Sequence, residues 1–286
     1  MILGAHLSTQ GGLPTAFDRA EALGCDTFQI FTKNRGAWAS RALRDDEVRA
    51  FRSRALSSRV RPVFAHAAYL LNPASPDARL RARSAAALRD ELERCERLGI
   101  PYLVLHPGHH MGAGERVGER RIAAALDRVF RETRGFRAKV LLENSAGAGS
   151  SACASFAALG RVLADVRDPE RLGVCVDTCH AFAAGYDLRS AEAYEAAVDE
   201  LRREVGLRKV RLFHVNDSRG ALGSRVDRHA PVGRGRLGKG AFRNLLGDRR
   251  FRGVPMLFEL PPVGKTMERN LRVLRAIAKN QGQTQD

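Results

Sequence analysis

The sequence predicts a single-domain α/β fold, a (β/α)8 TIM barrel, from the alternation of two kinds of segment. Short apolar runs rich in β-branched residues recur at intervals of roughly 25 to 45 residues, with amphipathic helical stretches between them. Four helical stretches are followed by a glycine that precedes the next strand, where a left-handed helix cap is favoured: Gly24, Gly99, Gly135 and Gly206. Eight strand–helix pairs favour a closed barrel over the alternative, an open doubly wound sheet.

The predicted elements follow one another in strict alternation. Strands are expected near residues 2–7, 26–32, 60–66, 101–106, 138–143, 172–177, 209–215 and 254–259. Helices are expected over residues 14–23, 45–56, 78–98, 119–133, 155–163, 191–205, 240–246 and 268–278. The stretch 78–98 has the clearest helical pattern, because its leucines share one stripe.

No Pro-rich or Ser-rich linker and no internal repeat divides the chain. We therefore expect one barrel domain over residues 1–279 and a disordered C-terminal tail at 280–286. No apolar run reaches the ~18 residues that a membrane-spanning helix needs. The N-terminus also lacks a basic stretch leading into an apolar core, so a soluble, cytoplasmic protein is expected.

The charge balance favours a polyanionic partner. The chain carries 48 Lys and Arg against 32 Asp and Glu, and only six of the 48 are Lys. The arginine side chain binds phosphate oxygens through two parallel hydrogen bonds, which suits nucleic acid. A GC-rich genome explains the same arginine excess, and charge alone does not separate the two interpretations. The five scattered cysteines lack zinc-ribbon spacing and indicate reduced thiols.

Histidines and carboxylates stand at the C-terminal ends of six predicted strands, the edge where TIM barrels carry their active sites. Three further candidates follow in loops. The nine residues are His66, His106, Glu143, Asp177, His214 and Glu259 at the strand ends, and His180, Asp227 and His229 in the loops. Since isolated buried charge is costly, this repetition favours a metal centre over ordinary polar groups. Zinc accepts these nitrogen and oxygen ligands, and nine ligands suit two or three ions.

Two other motifs are interpreted as structural. The glycines of residues 233–238 match a dinucleotide-binding pattern, but they follow a polar loop rather than a strand. A tight loop near the site and within reach of phosphate is expected there instead. Cys175 and Cys179 flank Asp177 and are possible zinc ligands, yet Cys175 is expected inside a strand as a small buried thiol.

Several long motifs occur in a fixed order over essentially the whole chain. They are GAHLS at 4–8, FTKN at 31–34, HAAYLLN at 66–72, LHPG at 105–108, LENSAG at 142–147, VCVDTCHAFAAGYD at 174–187, HVND at 214–217 and GSRVDRH at 223–229. In these motifs the sequence resembles the endonuclease IV family of apurinic/apyrimidinic (AP) endonucleases. The resemblance implies a (β/α)8 barrel that holds three zinc ions.

The resemblance also implies a division of the nine candidate ligands among three ions. The sets are His66, His106 and Glu143; Glu143, Asp177, His214 and Glu259; and His180, Asp227 and His229. Glu143 bridges two ions, and Glu143 and Glu259 are the implied catalytic carboxylates. The implied reaction is hydrolysis of the phosphodiester 5′ to an abasic site in duplex DNA by a hydroxide that bridges zinc ions. It leaves a 3′-hydroxyl and a 5′-deoxyribose phosphate, and the family also trims blocked 3′ ends.

Members of this family fill the gap left by the flipped abasic nucleotide with side chains from loops at the barrel mouth. Tyr69 matches one such position, and Arg35 is expected to serve from the loop after the second strand. Arg225 and Arg228 are expected either to contact DNA phosphates or to be solvated loop arginines. A monomer associated with the nucleoid suits this role.

Two alternatives come from other functional classes. A sugar isomerase of the xylose-isomerase type shares the architecture, but such enzymes favour a mostly carboxylate site for Mg²⁺ or Mn²⁺. Five histidines among the candidate ligands argue against it. The second alternative is a non-catalytic binder of damaged DNA with structural zinc, but structural zinc sites are usually closed and rich in cysteine.

Overall fold

The computed structural model describes residues 1–261, 263 and 265–282, in which eight parallel strands close into a barrel. In chain order the strands are β1 Leu3–His6, β2 Thr27–Ile30, β3 Val63–His66, β4 Tyr102–Leu105, β5 Lys139–Glu143, β6 Leu172–Asp177, β7 Val210–His214, β8 Asp217–Ser218, β9 His229–Ala230 and β10 Met256–Phe258. The short β8 and β9 pair with each other outside the barrel. The barrel closes because β1 pairs with β2 on one side and with β10 on the other. The (β/α)8 prediction and its eight strands are confirmed.

Helices cover the outside of the barrel. In the described residues they are α1 Thr15–Leu23, α2 Asp45–Ser57, α3 Ala78–Leu98, α4 Glu115–Glu132, α5 Phe156–Asp165, α6 Thr178–Ala184, α7 Ala191–Glu204, α8 Gly238–Gly247 and α9 Thr266–Gly282. Every predicted helix is present, and α6 is an additional one. Residues 280–282, which we expected in the C-terminal tail, belong to α9, and residues 283–286 lie outside the described part.

Two of the four glycines predicted to cap helices do so, whereas α4 ends at a Thr133 cap and α7 at a Val205 cap, two residues and one residue before the predicted glycines. Gly24 and Gly99 have φ values of 70° and 75° and end α1 and α3 in the left-handed conformation. Their backbone N–H groups donate to carbonyl oxygens of the preceding turn. The chain then turns directly into the next strand, which keeps these connections short. None of the helices in the described residues is long and apolar enough to cross a membrane.

The barrel interior contains an apolar layer beneath a polar one. The apolar layer is a buried cluster, separate from the main core, made of Phe64, Val104, Leu141, Cys175, Leu212 and Leu257. Side chains two residues apart on a strand point to the same face, so the next inward positions lie one step nearer the mouth. Those positions are His66, His106, Glu143, Asp177, His214 and Glu259. The strand register therefore places the six strand-end candidates in one layer, directly above the packed apolar layer.

Candidate metal centre

The nine predicted ligands come together at the C-terminal mouth of the barrel. Their nitrogen and oxygen atoms form three groups, and within each group the atoms lie within 4.8 Å of one another. The groups are His66, His106 and Glu143; Glu143, Asp177, His214 and Glu259; and His180, Asp227 and His229. These groups contain the same residues as the three predicted sets, and Glu143 again belongs to two of them.

A helix cap and a short strand pair place the three loop candidates at the mouth. Asp177 caps the N-terminus of α6, and its Oδ1 accepts the backbone N–H of His180 at 2.8 Å. The chain thus leaves β6 and starts α6 with both side chains at one site. Asp227 and His229 lie at the end of the 219–228 loop and the start of β9. The β8–β9 pairing holds that loop over the mouth.

Glu143 lies at the centre of the cluster and is fully buried. Its Oε2 lies 3.1 Å from His106 Nε2 and 3.4 Å from His66 Nε2. Its Oε1 lies 2.9 Å from His214 Nδ1. The two carboxylate oxygens therefore face two different groups of candidate ligands, which is the arrangement a bridging carboxylate requires.

The rings of three histidines are oriented by backbone carbonyl groups. Their Nδ1–H groups donate to carbonyl oxygens: His66 to Ala67 (2.7 Å), His180 to Asn144 (2.9 Å) and His229 to Glu259 (3.2 Å). Because a carbonyl oxygen only accepts, the proton of each neutral ring is on Nδ1 and the Nε2 lone pair faces the cluster. His180 Nε2 and His229 Nε2 both face Asp227 Oδ1, at 3.2 and 3.5 Å.

Unpartnered buried atoms show that the residues fit a metal ion. His66 Nε2, Glu143 Oε2 and His229 Nε2 are buried and lack a hydrogen-bond partner. Each such atom costs about 1–3 kcal/mol when nothing satisfies it. A lone pair on a neutral imidazole also repels a nearby carboxylate oxygen. A cation between them removes both penalties, and imidazole with carboxylate is a donor set that zinc accepts.

The electrostatics of the cluster favour bound positive charge. Burial lowers the pKa of His180, but the carboxylates of Asp177, Asp227 and Glu143 outweigh it and hold that pKa well above its ordinary value. Burial raises the pKa of Glu143, yet the imidazoles of His214 and His106 hold it well below its ordinary value. The site therefore stabilises cations, which can be protons on the imidazoles or metal ions among them.

Two cysteines lie beside the three groups of candidate metal ligands, but each group has enough ligands without them. Cys175 lies near Glu143 and His214, and Cys179 lies near Asp177 and His229. Burial raises the pKa of both thiols to about 12, so both are protonated at neutral pH. The carboxylates of Glu143 and Asp227, whose pKa values are lowered, offer lone pairs without this deprotonation. Cys175 is the small buried thiol that the sequence predicted.

Two buried asparagines support the site and were not assigned a role from the sequence. Asn216 donates from Nδ2 to Asp177 Oδ2 at 2.7 Å, and its Oδ1 accepts the backbone N–H of Glu259 at 2.8 Å. Asn144 Oδ1 accepts the backbone N–H of Asp177 at 2.7 Å. Each asparagine follows a strand-end candidate by one or two residues. That position is the only feature of the sequence from which their role could have been predicted. They tie neighbouring strand ends together.

The predicted DNA-contacting residues also lie at the mouth. Tyr69 is 53% exposed, and its ring packs edge-on against His66 at 5.6 Å between centroids. The Arg35 guanidinium carbon lies 5.9 Å from the centre of the Tyr69 ring, so the two predicted gap-filling side chains are neighbours. Arg225 and Arg228 are exposed in the loop that carries Asp227.

The glycine-rich loop at 233–238 is organised around a protein carboxylate. The carboxylate of Asp217 accepts the backbone N–H groups of Gly233, Gly235, Leu237 and Gly238. A Cβ at position 235 would lie 2.4 Å from Asp217 Oδ1, so only glycine fits there. The expected tight loop is present. Because Asp217 occupies these four amides, a contact with phosphate would have to come from other groups of the loop, and that contact stays a prediction.

The fold and the site define a TIM barrel with a histidine and carboxylate cluster at its mouth. A family model described as a xylose isomerase-like TIM barrel matches residues 17–277. A protein of Chloroflexus aurantiacus, described as a probable endonuclease 4, is 46% identical over 279 residues, which cover 96% of this chain and 98% of the relative. The crystal structure of endonuclease IV from Thermus thermophilus matches with a TM-score of 0.87 and 38% identity over 98% of this chain and 100% of that one.

The chain therefore belongs to the endonuclease IV family, a family of DNA-repair nucleases, as its motifs predicted. A D-tagatose 3-epimerase-like protein also matches, with a TM-score of 0.77 over 99% of both chains. At 18% identity that match shows the shared fold alone.

Proposed function

We propose that this protein is a zinc-dependent AP endonuclease that hydrolyses the phosphodiester on the 5′ side of an abasic site in duplex DNA. The products are a 3′-hydroxyl and a 5′-deoxyribose phosphate, and the same centre trims blocked 3′ ends. The observation that carries the proposal is the set of three adjoining ligand groups, with unpartnered buried atoms in them, in a chain of the endonuclease IV family.

Three zinc ions occupy the three groups in this proposal, and Glu143 and Glu259 are the catalytic carboxylates. When bound, zinc supplies water of lowered pKa as a nucleophile and stabilises negative charge on the phosphate. Glu143 fixes the spacing of two groups because each of its oxygens faces a different one. Glu259 Oε2 lies 3.2 Å from His214 Nδ1, which places this carboxylate within the second group.

DNA recognition is assigned to the loops around the cluster. An abasic nucleotide is cheap to flip, because no base pair has to be broken. Tyr69 and Arg35 fill the gap that it leaves, and they line a cavity of about 880 Å³ that also contacts Glu259. Arg225 and Arg228 contact the DNA phosphates, in keeping with a chain of net charge +16.

We propose that the protein acts as a monomer on nucleoid DNA in the cytoplasm. All nine candidate ligands come from one chain, so the site is complete without a second copy.

The proposal is tested with an end-labelled duplex that carries one tetrahydrofuran abasic analogue. This analogue cannot undergo β-elimination, so a single cut on its 5′ side with an extendable 3′-hydroxyl identifies hydrolysis. Undamaged duplex and zinc-stripped protein are the controls, and both are expected to give no cut. Absence of cleavage by protein of measured zinc content would contradict the proposal and favour the sugar-isomerase alternative.

A further inference from the structure

The two barrel strands that contribute no candidate ligand also carry polar side chains in the layer at the mouth. His6 ends β1, and Gln29 lies opposite it in the register of β1 and β2. Gln29 is fully buried in a strand that is otherwise mostly apolar. Burying a carboxamide is costly unless its hydrogen-bonding groups are satisfied. The contacts of the Gln29 side chain therefore indicate its role.

The Gln29 carboxamide contacts three side chains of the layer. Its Nε2 lies 2.7 Å from Glu259 Oε1 and 2.8 Å from His6 Nδ1. Its Oε1 lies 3.0 Å from His214 Nε2. Both amide protons and the carbonyl oxygen are therefore used, and two of the three partners are candidate metal ligands.

These contacts determine the tautomer of the neutral His214 ring. The ionised carboxylate of Glu259 only accepts hydrogen bonds, so the NH₂ side of Gln29 must face it. The amide oxygen then faces His214 Nε2, which must carry a proton. In the neutral ring, which is the form that binds a metal, the lone pair is then on His214 Nδ1 and faces the cluster, 2.9 Å from Glu143 Oε1 and 3.2 Å from Glu259 Oε2.

His214 differs in this respect from three other histidines of the site. His66, His180 and His229 donate their second ring nitrogen to backbone carbonyl oxygens. His214 donates its second nitrogen to a side chain instead. Its tautomer and ring orientation can therefore be changed by a single substitution outside the ligand set.

We propose that Gln29 is a positioning residue of the metal centre, which holds His214 with Nδ1 as the metal-binding nitrogen and fixes Glu259 by a charge-assisted hydrogen bond. The inference rests on the proposed zinc site. Partners of this kind fix the orientation of a ligand, and their loss typically lowers metal affinity about 10- to 100-fold. Gln29 acts through its two neighbours and is not itself a ligand.

The test compares Gln29→Leu with Thr27→Val. The leucine keeps most of the side-chain volume but removes all three contacts. Thr27 lies on the same strand and is equally buried, but its hydroxyl donates to the Pro62 carbonyl oxygen, away from the metal groups. Zinc stoichiometry and affinity are measured by competition with a fluorescent chelator. We expect one zinc to bind about 10- to 100-fold more weakly in Gln29→Leu than in Thr27→Val.

Equal zinc affinity in the two variants would overturn the role of Gln29. A second measurement needs no variant: long-range ¹H–¹⁵N correlation spectra of the zinc-loaded wild-type protein report which nitrogen of His214 carries the proton. A proton on Nε2 is expected, and a proton on Nδ1 would also overturn the inference. Incision of abasic DNA is measured separately, so that cleavage with unchanged zinc affinity leaves the proposed function intact and removes only the role of Gln29.

Discussion

At the scale of single residues, Glu143 shows how burial and charge define a site. The side chain is inaccessible to solvent, and it lies within 3.5 Å of ring nitrogens of His66, His106, His180 and His214. A carboxylate in such a position stabilises the fold only if positive charge accompanies it. The cluster is therefore built for a cation rather than for packing alone.

Glu143→Gln tests this interpretation, because the amide keeps the shape and removes the charge. We expect at least one zinc per chain to be lost and incision of the tetrahydrofuran duplex to fall by on the order of 10²–10³. Binding of abasic DNA should stay measurable. Glu132→Gln is the matched control, since Glu132 is partly exposed on α4 and pairs with Arg128. Unchanged zinc content and cleavage in Glu143→Gln would contradict a bridging role.

The residues that the sequence could predict are those whose position follows from strand periodicity. Strand-end residues such as His66 and Glu143 share a face with apolar residues two positions earlier, and that relation is local. The contacts of Gln29 depend instead on Glu259, which is 230 residues away in the chain. Only the folded barrel shows which atoms of the two side chains meet.

At the scale of elements, α6 shows where helical periodicity gives no signal. All its residues from Thr178 to Ala183 are buried, so the stretch has no polar face and no amphipathic stripe. The amphipathic helices on the barrel surface were predictable for the opposite reason. His180 lies on this helix. It was therefore predicted as a candidate ligand from its motif and its spacing after Asp177, without a predicted helix around it.

A buried ion pair links the two loops that carry Arg35 and Tyr69. Lys33 Nζ lies 3.5 Å from Glu91 Oε1 on α3, and both side chains are buried. The same Glu91 oxygen accepts the backbone N–H of Ala68 at 2.9 Å. Lys33 lies two residues before Arg35, and Ala68 precedes Tyr69, so Glu91 holds both loops in place.

Lys33→Met leaves Glu91 without its cation, and we expect a loss of about 3–5 kcal/mol in the free energy of unfolding. The affinity for abasic DNA should also fall, because the two side chains that we propose to fill the gap lose their fixed spacing. Zinc content should not change. Lys209→Met, at a partly exposed pair with Glu170, is the control. Wild-type affinity in Lys33→Met would show that the pair has no part in DNA recognition.

A second buried carboxylate joins α4 to α5. Burial raises the pKa of Glu119, but hydrogen bonds from Arg161 and Arg116 outweigh it and hold that pKa below its ordinary value. A lowered folded-state pKa adds stability above the unfolded pKa, and this stability is lost as the pH falls through the folded value. Glu119→Gln should therefore cost about 1–3 kcal/mol at neutral pH, and the difference from wild type should shrink in acid. Urea unfolding at several pH values measures the difference in unfolding free energy between wild type and variant. A difference that grows as the pH falls would contradict the prediction.

At the scale of the whole molecule, net charge and the position of the arginines make one prediction together. The chain carries a net charge of +16, and Arg225 and Arg228 are exposed beside the candidate metal groups. Phosphates neutralised by a protein release their counterions, so log Kd for abasic duplex should rise linearly with log salt, with a slope of about 0.9 per contacted phosphate. If the charge excess only reflects genome composition, no particular arginine has to contribute to this slope.

Arg225→Gln separates the two explanations, because it removes one charge from the mouth and little else from the fold. We expect weaker binding at every salt concentration and a slope reduced by about 1, as for the loss of one phosphate contact. Arg202→Gln removes the same charge from the exposed face of α7, where Arg202 pairs with Asp199, and should leave the slope unchanged. Equal slopes in wild type and both variants would mean that Arg225 does not contact a DNA phosphate. In that case the charge of Arg225 would have its origin in composition rather than in recognition.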